Sequence, residues 1–225
     1  MSHRMRLAPA AAGAATLAVL LATTGCGSGP ESDDAPARSA SGGFWDTHAT
    51  AAASEVDPPT SIPDLASRSE LVVLGTVGGA REGKDYTEAG KPPNRTSNID
   101  IRVEKSSKPG VTGAVVEFTR APGTELNDIV ADLPKGKYVF YLTSWYQGPD
   151  GPVYSCASAA KCVVSAKDGV LQTPRDPEAA EELAEGTRTA TPAKSGKSAQ
   201  SKTSPAPELN SAEDVFALSA PAVSG

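Results

Sequence analysis

The sequence predicts a mainly β domain, a small β-barrel with a short helix between its third and fourth strands, flanked by polar segments expected to be disordered. Three observations carry this. Residues 98–104 alternate apolar Ile99, Ile101 and Val103 with polar Asn98, Asp100, Arg102 and Glu104. That period of two places one strand face in a core and the other in water. Residues 71–77 and 138–142 are short apolar runs bounded by turn residues, as buried strands are. Leu126, Ile129, Val130 and Leu133 then change the period to i, i+3, i+4, i+7, the spacing of one helix face.

The elements follow in order. Ser61-Ile62-Pro63-Asp64 has the capping spacing of a helix start, with proline near the first position, and predicts a short helix to about Ser67. Leu71 to Val77 is the first strand; Gly75 in its middle predicts a bend or bulge. Gly78 to Arg95 is expected to be a long loop. After strand 98–104, Lys108-Pro109-Gly110 turns the chain into a strand over Ala114 to Arg120, with Val116 and Phe118 inward. The helix after it is capped by Thr124 and ended by Pro134 and Gly136. Tyr138 to Leu142 is apolar on both faces and reads as a central strand, and Trp145 to Pro152 as the next loop. Val153–Cys156 and Cys162–Val164 are expected to form a hairpin, and Lys167-Asp168-Gly169 a turn into Val170-Leu171-Gln172. The domain is therefore bounded at 61–175, with a tether over 26–60 and a low-complexity tail over 176–225. Phe44 and Trp45 interrupt the tether as a pair expected to dock onto the domain.

A helix between the third and fourth strands is the connectivity of the five-stranded OB barrel. Residues 61–145 resemble exported bacterial proteins of unassigned role, through Leu71 to Val77, Val103 to Lys105 and Gly136 to Leu142. The same layout is distantly similar to netrin-like (NTR) domains, which include the tissue inhibitors of metalloproteinases. Those inhibitors chelate zinc through a free amino-terminal cysteine on the domain itself. The matching residues here are core positions, so the resemblance implies a fold and hardly a function.

Residues 1–25 have the layout of an export signal: Arg4 and Arg6, an uncharged stretch from Leu7, then small residues before Cys26. Thr23-Thr24-Gly25-Cys26 resembles the lipobox of bacterial lipoproteins, with Thr23 where leucine is usual. A simple secretory signal and a retained helix are the alternatives. The resemblance implies a diacylglycerol on Cys26, membrane attachment on the order of 20 kcal/mol, and a location on the extracytoplasmic face of the cell membrane. Without the leader, 19 basic residues face 27 acidic ones, a formal charge of −8. Such a chain is a poor partner for nucleic acid, which needs a basic footprint. In that compartment Cys156 and Cys162 are expected to form a structural disulfide rather than a redox pair, which usually reads Cys-x-x-Cys.

No catalytic site, metal site or cofactor is expected. Residues 61–175 contain no histidine, which excludes a Ser-His-Asp or Cys-His mechanism within them. His48, with Asp46, lies in the tether and reads as a solvated histidine rather than a ligand. Glu104, Glu117, Glu125, Asp128 and Asp132 are candidate general acids that also suit polar strand faces and helix surfaces. In an OB barrel, ligands meet the loops after the first and fourth strands. Those loops offer Arg81, Lys84, Tyr86, Trp145 and Tyr146 as a contact surface. The expectation is a binding module for an envelope protein or wall component; a carboxylate-dependent wall enzyme and a purely structural lipoprotein are the alternatives.

Overall fold

The computed structural model describes residues 43–48, 55–190 and 209–219. The leader, Cys26, the rest of the tether and tail, and the side chain of Asp46 lie outside the described residues. In chain order the elements are α1 (Phe44–His48), α2 (Ile62–Ser67), β1 (Leu71–Asp85), β2 (Arg95–Ser106), β3 (Gly113–Thr119) and α3 (Leu126–Ala131). They continue as β4 (Lys137–Gly148), β5 (Gly151–Cys156), β6 (Val163–Lys167), β7 (Val170–Gln172), α4 (Ala179–Ala190) and α5 (Ala212–Ser219). No helix among the described residues is long and apolar enough to cross a membrane.

The fold is mainly β, a seven-stranded mixed sheet in the order β1-β2-β3-β5-β4-β6-β7 with a further β1–β4 pairing. β1 pairs with β2 along nearly its whole length and with β4 from Leu71↔Leu142 to Thr76↔Lys137. β3 meets β5 in parallel through Val115↔Val153 and Val116↔Tyr154. The pairings thus close a circuit through β1, β2, β3, β5 and β4. Leu71–Leu74 and Val139–Leu142 are buried on both faces, because helices cover the side of the sheet that the strands do not. Alternation predicted Ile99, Ile101, Val116 and Phe118 as inward, and all four are buried.

Gly75 is the expected irregularity: the β1–β2 register shifts between Leu74 and Gly75. A Cβ there would stand 2.3 Å from the Arg102 carbonyl oxygen, so no larger residue fits without moving β2. The Asp168-Gly169 turn has both residues at positive φ, 52° and 81°. That matches the twist of the β6–β7 hairpin. Ser61 caps α2 as expected, its hydroxyl accepting the Asp64 N–H at 3.2 Å. The cap of α3 is Glu125 rather than Thr124, and its partner in a reciprocal capping box is Asp128. Of the apolar positions assigned to that helix, Ile129 is fully buried and Val130 is 46% exposed. Six residues make less than two turns, too short to bury a four-position stripe.

Three expectations change. The stretch Gly78–Asp85 is strand, and so is Trp145–Gly148, because both continue pairing beyond their apolar runs. Cys156 and Cys162 are bonded, but not across a hairpin. β5 and β6 lie one after the other along the same edge of β4, through Leu142↔Cys156 and then Phe140↔Val163. The residues between the cysteines are an excursion from that edge, and the disulfide clips its base. The guanidinium of Arg175 donates to both sulfurs, at 3.2 and 3.4 Å. It lies 5.1 Å from the Phe118 ring centroid.

Packing also extends past 61–175. Trp45 is 2% exposed and its ring meets Phe118, Tyr138 and Phe140 within 6 Å. Leu183 of α4 and Val215 of α5 are fully buried, and the buried Tyr141 hydroxyl meets Ser219 Oγ at 2.7 Å. The residues before α2 are pinned as well. Glu55 accepts from Ser158 Oγ at 3.0 Å, and buried Lys161 donates to the Pro59 carbonyl at 2.8 Å and to Glu182 at 2.7 Å. A Cβ on Gly186 would come within 1.8 Å of the Thr60 carbonyl oxygen, which shows how closely α4 covers that strand of chain. A few large apolar groups, Trp45, Leu183, Val215 and Phe216, outweigh the polar composition around them.

Two outcomes follow. Trp45→Ala should lower unfolding stability by about 3 kcal/mol in urea titration, the cost of deleting a buried indole. Replacing Cys156 and Cys162 together by serine should cost about 2 kcal/mol in the same measurement, since the chain-entropy relation gives about 2.4 kcal/mol for so short a loop.

Candidate functional site

The residues expected on two loops meet at the far ends of the long strands. β1 overhangs its pairing with β4 by nine residues, Val77–Asp85, and carries Arg81 and Lys84, with Tyr86 just beyond it. The Tyr86 N–H donates to the Asn94 carbonyl at 2.9 Å, which closes the short connection to β2. Opposite, the β4–β5 register shifts between Ser144 and Tyr146, leaving Trp145 as the extra residue of a bulge. A bulge re-aims the side chains around it. In a regular strand two neighbours point to opposite faces; here both Trp145 and Tyr146 reach the same cluster.

Glu117 is the centre of that cluster. It sits on the outward face of β3, opposite Asn98 of β2. Its carboxylate accepts from the Tyr86 hydroxyl at 2.9 Å and the Tyr146 hydroxyl at 2.8 Å, with the Lys84 N–H at 3.4 Å. The Trp145 indole N–H donates to the Tyr86 oxygen at 3.1 Å. The Lys84 ammonium lies 5.2 Å from the Tyr86 ring centroid and 5.5 Å from that of Tyr146. Four of the five candidate residues therefore form one bonded group. Arg81 stands at its edge, paired with Asp150 at 3.0 Å and Asp100 at 3.4 Å. Those pairs are exposed and contribute little stability.

Two depressions meet at this group. An open cleft of about 490 Å³ is lined by Tyr86, Glu88, Asn94, Glu117, Trp145 and neighbouring hydroxyls. A smaller one of about 290 Å³ has Val115 and Val153 as apolar lining and Arg81, Lys84, Tyr146 and Asp150 around them. Trp145 is 55% exposed, a large apolar surface held in place by its own hydrogen bond. Glu117 was legible only as one more outward carboxylate; no local pattern links it to tyrosines some 30 residues away on either side.

The other acids have structural work. Glu104 pairs with Lys137 at 2.8 Å, Glu125 and Asp128 cap α3, and Asp132 accepts from His48 Nε2 at 3.0 Å. His48 is buried against α3 rather than solvated, because it belongs to the docked helix α1. Among the described residues, no group of three or more His, Cys, Asp or Glu side chains could hold a metal ion. No family model matches this chain, and neither a curated protein nor a solved structure does.

Burial raises the pKa of the Tyr86 phenol above its ordinary value, and the Glu117 charge adds to this, while the Trp145 hydrogen bond opposes it. Burial and Glu117 raise Tyr146 in the same direction. The native state then binds these protons more tightly than the unfolded chain. Their stabilisation is complete below pH about 10 and is lost as pH rises through the native values. The urea midpoint should fall on that limb. Glu117→Gln should move both phenol titrations, followed by phenolate absorbance, part of the way back, because burial remains.

Proposed function

We propose that this chain is a lipid-anchored binding module on the extracytoplasmic face of the cell membrane, and that the Tyr86–Trp145–Tyr146 face is its contact surface. The observation that carries the reading is Trp145. An indole left 55% exposed, yet fixed by a hydrogen bond beside an open cleft, is the arrangement of a contact residue. Aromatic residues of this kind dominate binding energy where they are pre-positioned, since little side-chain entropy is lost on contact.

The fold is an OB-like barrel in this reading. The circuit β1-β2-β3-β5-β4-β1, with α3 between β3 and β4, supports it. The cleft is lined by Tyr86, Glu88 and Asn94 around the β1–β2 connection, and the second depression by Pro149 and Asp150 of the β4–β5 connection; these are the ligand-bearing loops of that architecture. The likeness to netrin-like domains stays at the level of fold. Zinc chelation by an amino-terminal cysteine does not transfer, because Cys26 is assigned to the acyl anchor. The committed hydrogen bonds of Glu117 and the structural positions of the other acids favour binding over turnover. The partner is an envelope protein or wall component rather than a nucleic acid, given the formal charge.

Two measurements test this. Intact-protein mass spectrometry of the membrane fraction should find a diacylglycerol on Cys26, and Cys26→Ser should release the protein from the membrane. Protein found unmodified in the culture fluid removes the anchor. Crosslinking in living cells should capture a partner, and Trp145→Ala with Tyr146→Ala should lower the yield at least about tenfold in protein that is still folded at the assay temperature. Undiminished capture removes this face.

A further inference from the structure

The cleft beside Trp145 is electrostatically one-sided. Among the described residues that line it, two are carboxylates, Glu88 and Glu117, and none is lysine, arginine or histidine. Glu88 has a counter-ion in Lys91, at 2.6 Å on the open surface. The partners of Glu117 are neutral donors: two phenols and a backbone N–H. Beside that charge stands the exposed indole of Trp145, oriented by its bond to Tyr86. An indole face is electron-rich, and of the aromatic side chains it attracts cations best.

The same cluster already holds a cation elsewhere. The ammonium of Lys84 rests against the Tyr86 and Tyr146 rings, and Lys84 lines the second depression rather than the first. The protein thus uses its own lysine to meet this combination of aromatic rings and carboxylate on one side. The Trp145 side carries the same combination with no basic residue among the described residues that line it.

We propose that the cleft receives an organic cation, a terminal alkylammonium group seated on the Trp145 ring with Glu117 as its counter-charge. This rests on the reading that the Trp145 face is the contact surface, and it adds the chemistry of what is recognised there. The same group is carried by a lysine side chain of a partner polypeptide and by a quaternary amine. Polyanions are repelled by the carboxylates, and a neutral ligand gains nothing from them.

The experiment uses the ¹⁵N-labelled full chain. It has two tryptophans, so two indole N–H signals. Trp45 is buried and reports the fold; Trp145 reports the cleft. One pair of probes is Nα-acetyl-lysine methylamide and its neutral Nε-acetyl form. The other is choline and its uncharged isostere 3,3-dimethylbutan-1-ol. The Trp145 signal should shift saturably with the charged member of at least one pair, at least about threefold tighter than with its neutral counterpart at low salt. Glu117→Gln should remove that preference while the Trp45 signal stays in place. A stronger response to the lysine derivative identifies a polypeptide side chain as the source; a stronger response to choline identifies a quaternary amine. Equal response to charged and neutral probes, or none to either cation, overturns the proposal. If cellular capture is still lost in the Trp145→Ala, Tyr146→Ala variant, the contact surface stands without the cation. If capture persists there, both fall.

Discussion

One strand with two partners organises this molecule. The first six residues of β1, Leu71–Thr76, pair with β4, and four of them, Val73–Thr76, pair with β2 as well; the next nine keep β2 alone. The β4-paired part closes the circuit of strands, and its residues Leu71–Leu74 are fully buried. The singly paired part leaves that core and takes Arg81, Lys84 and Tyr86 with it. The core and the Glu117 cluster are thus served by two ends of the same element. The change from one to the other falls at Gly75 and the glycines after it, where register shifts let β2 follow a bending strand.

Beyond Thr76 one edge of β1 has no strand beside it among the described residues, and side-chain cross-links hold it instead. Glu117 supplies them. It belongs to β3, yet it fastens Tyr86 from the end of β1 and Tyr146 from β4. Charge-assisted hydrogen bonds of this kind are stronger than neutral ones. Trp145 is fastened in turn through Tyr86, so its ring is ordered before any ligand arrives. Three strands that diverge from the core are held together by one carboxylate, and the bulge in β4 brings the last two aromatic side chains within its reach.

The sequence was most legible where period and chemistry agreed. Ile99 and Ile101 alternate, Asp168-Gly169 is a turn pair, and Ser61 precedes a proline-started helix; each is where its pattern implied. It was least legible where pairing continued without apolar residues. Gly78–Asp85 contains two adjacent glycines and four charges, and backbone pairing with β2 alone makes it strand. Trp145 and Tyr146 could be singled out from their type. Their convergence with Tyr86 was not, because it depends on a bulge and on a glutamate in another strand. The disulfide was readable as a pair of cysteines, but its role as a clip needed the edge of β4 that both flanking strands share. Trp45 and Phe216 show the limit of composition as a guide. Each belongs to a short apolar cluster, Phe44-Trp45 or Val215-Phe216, within an otherwise polar segment, and each is buried because even these few large apolar side chains gain more from the core than their neighbours lose by following them.

The docking of α1 also changes the reach implied by the anchor. A free tether over 26–60 puts 35 residues between membrane and domain, which at full extension span roughly 120 Å. With Phe44 and Trp45 seated in the core, α1 is the first element of the described residues, and 16 residues lie between Cys26 and Gly43. Those extend to at most ~60 Å. Under the proposed anchoring, α1 therefore lies within that distance of the membrane. Two aromatic residues set that distance. Removing them from the core would lengthen the tether as well as weaken the fold, so reach and stability are coupled through the same buried indole.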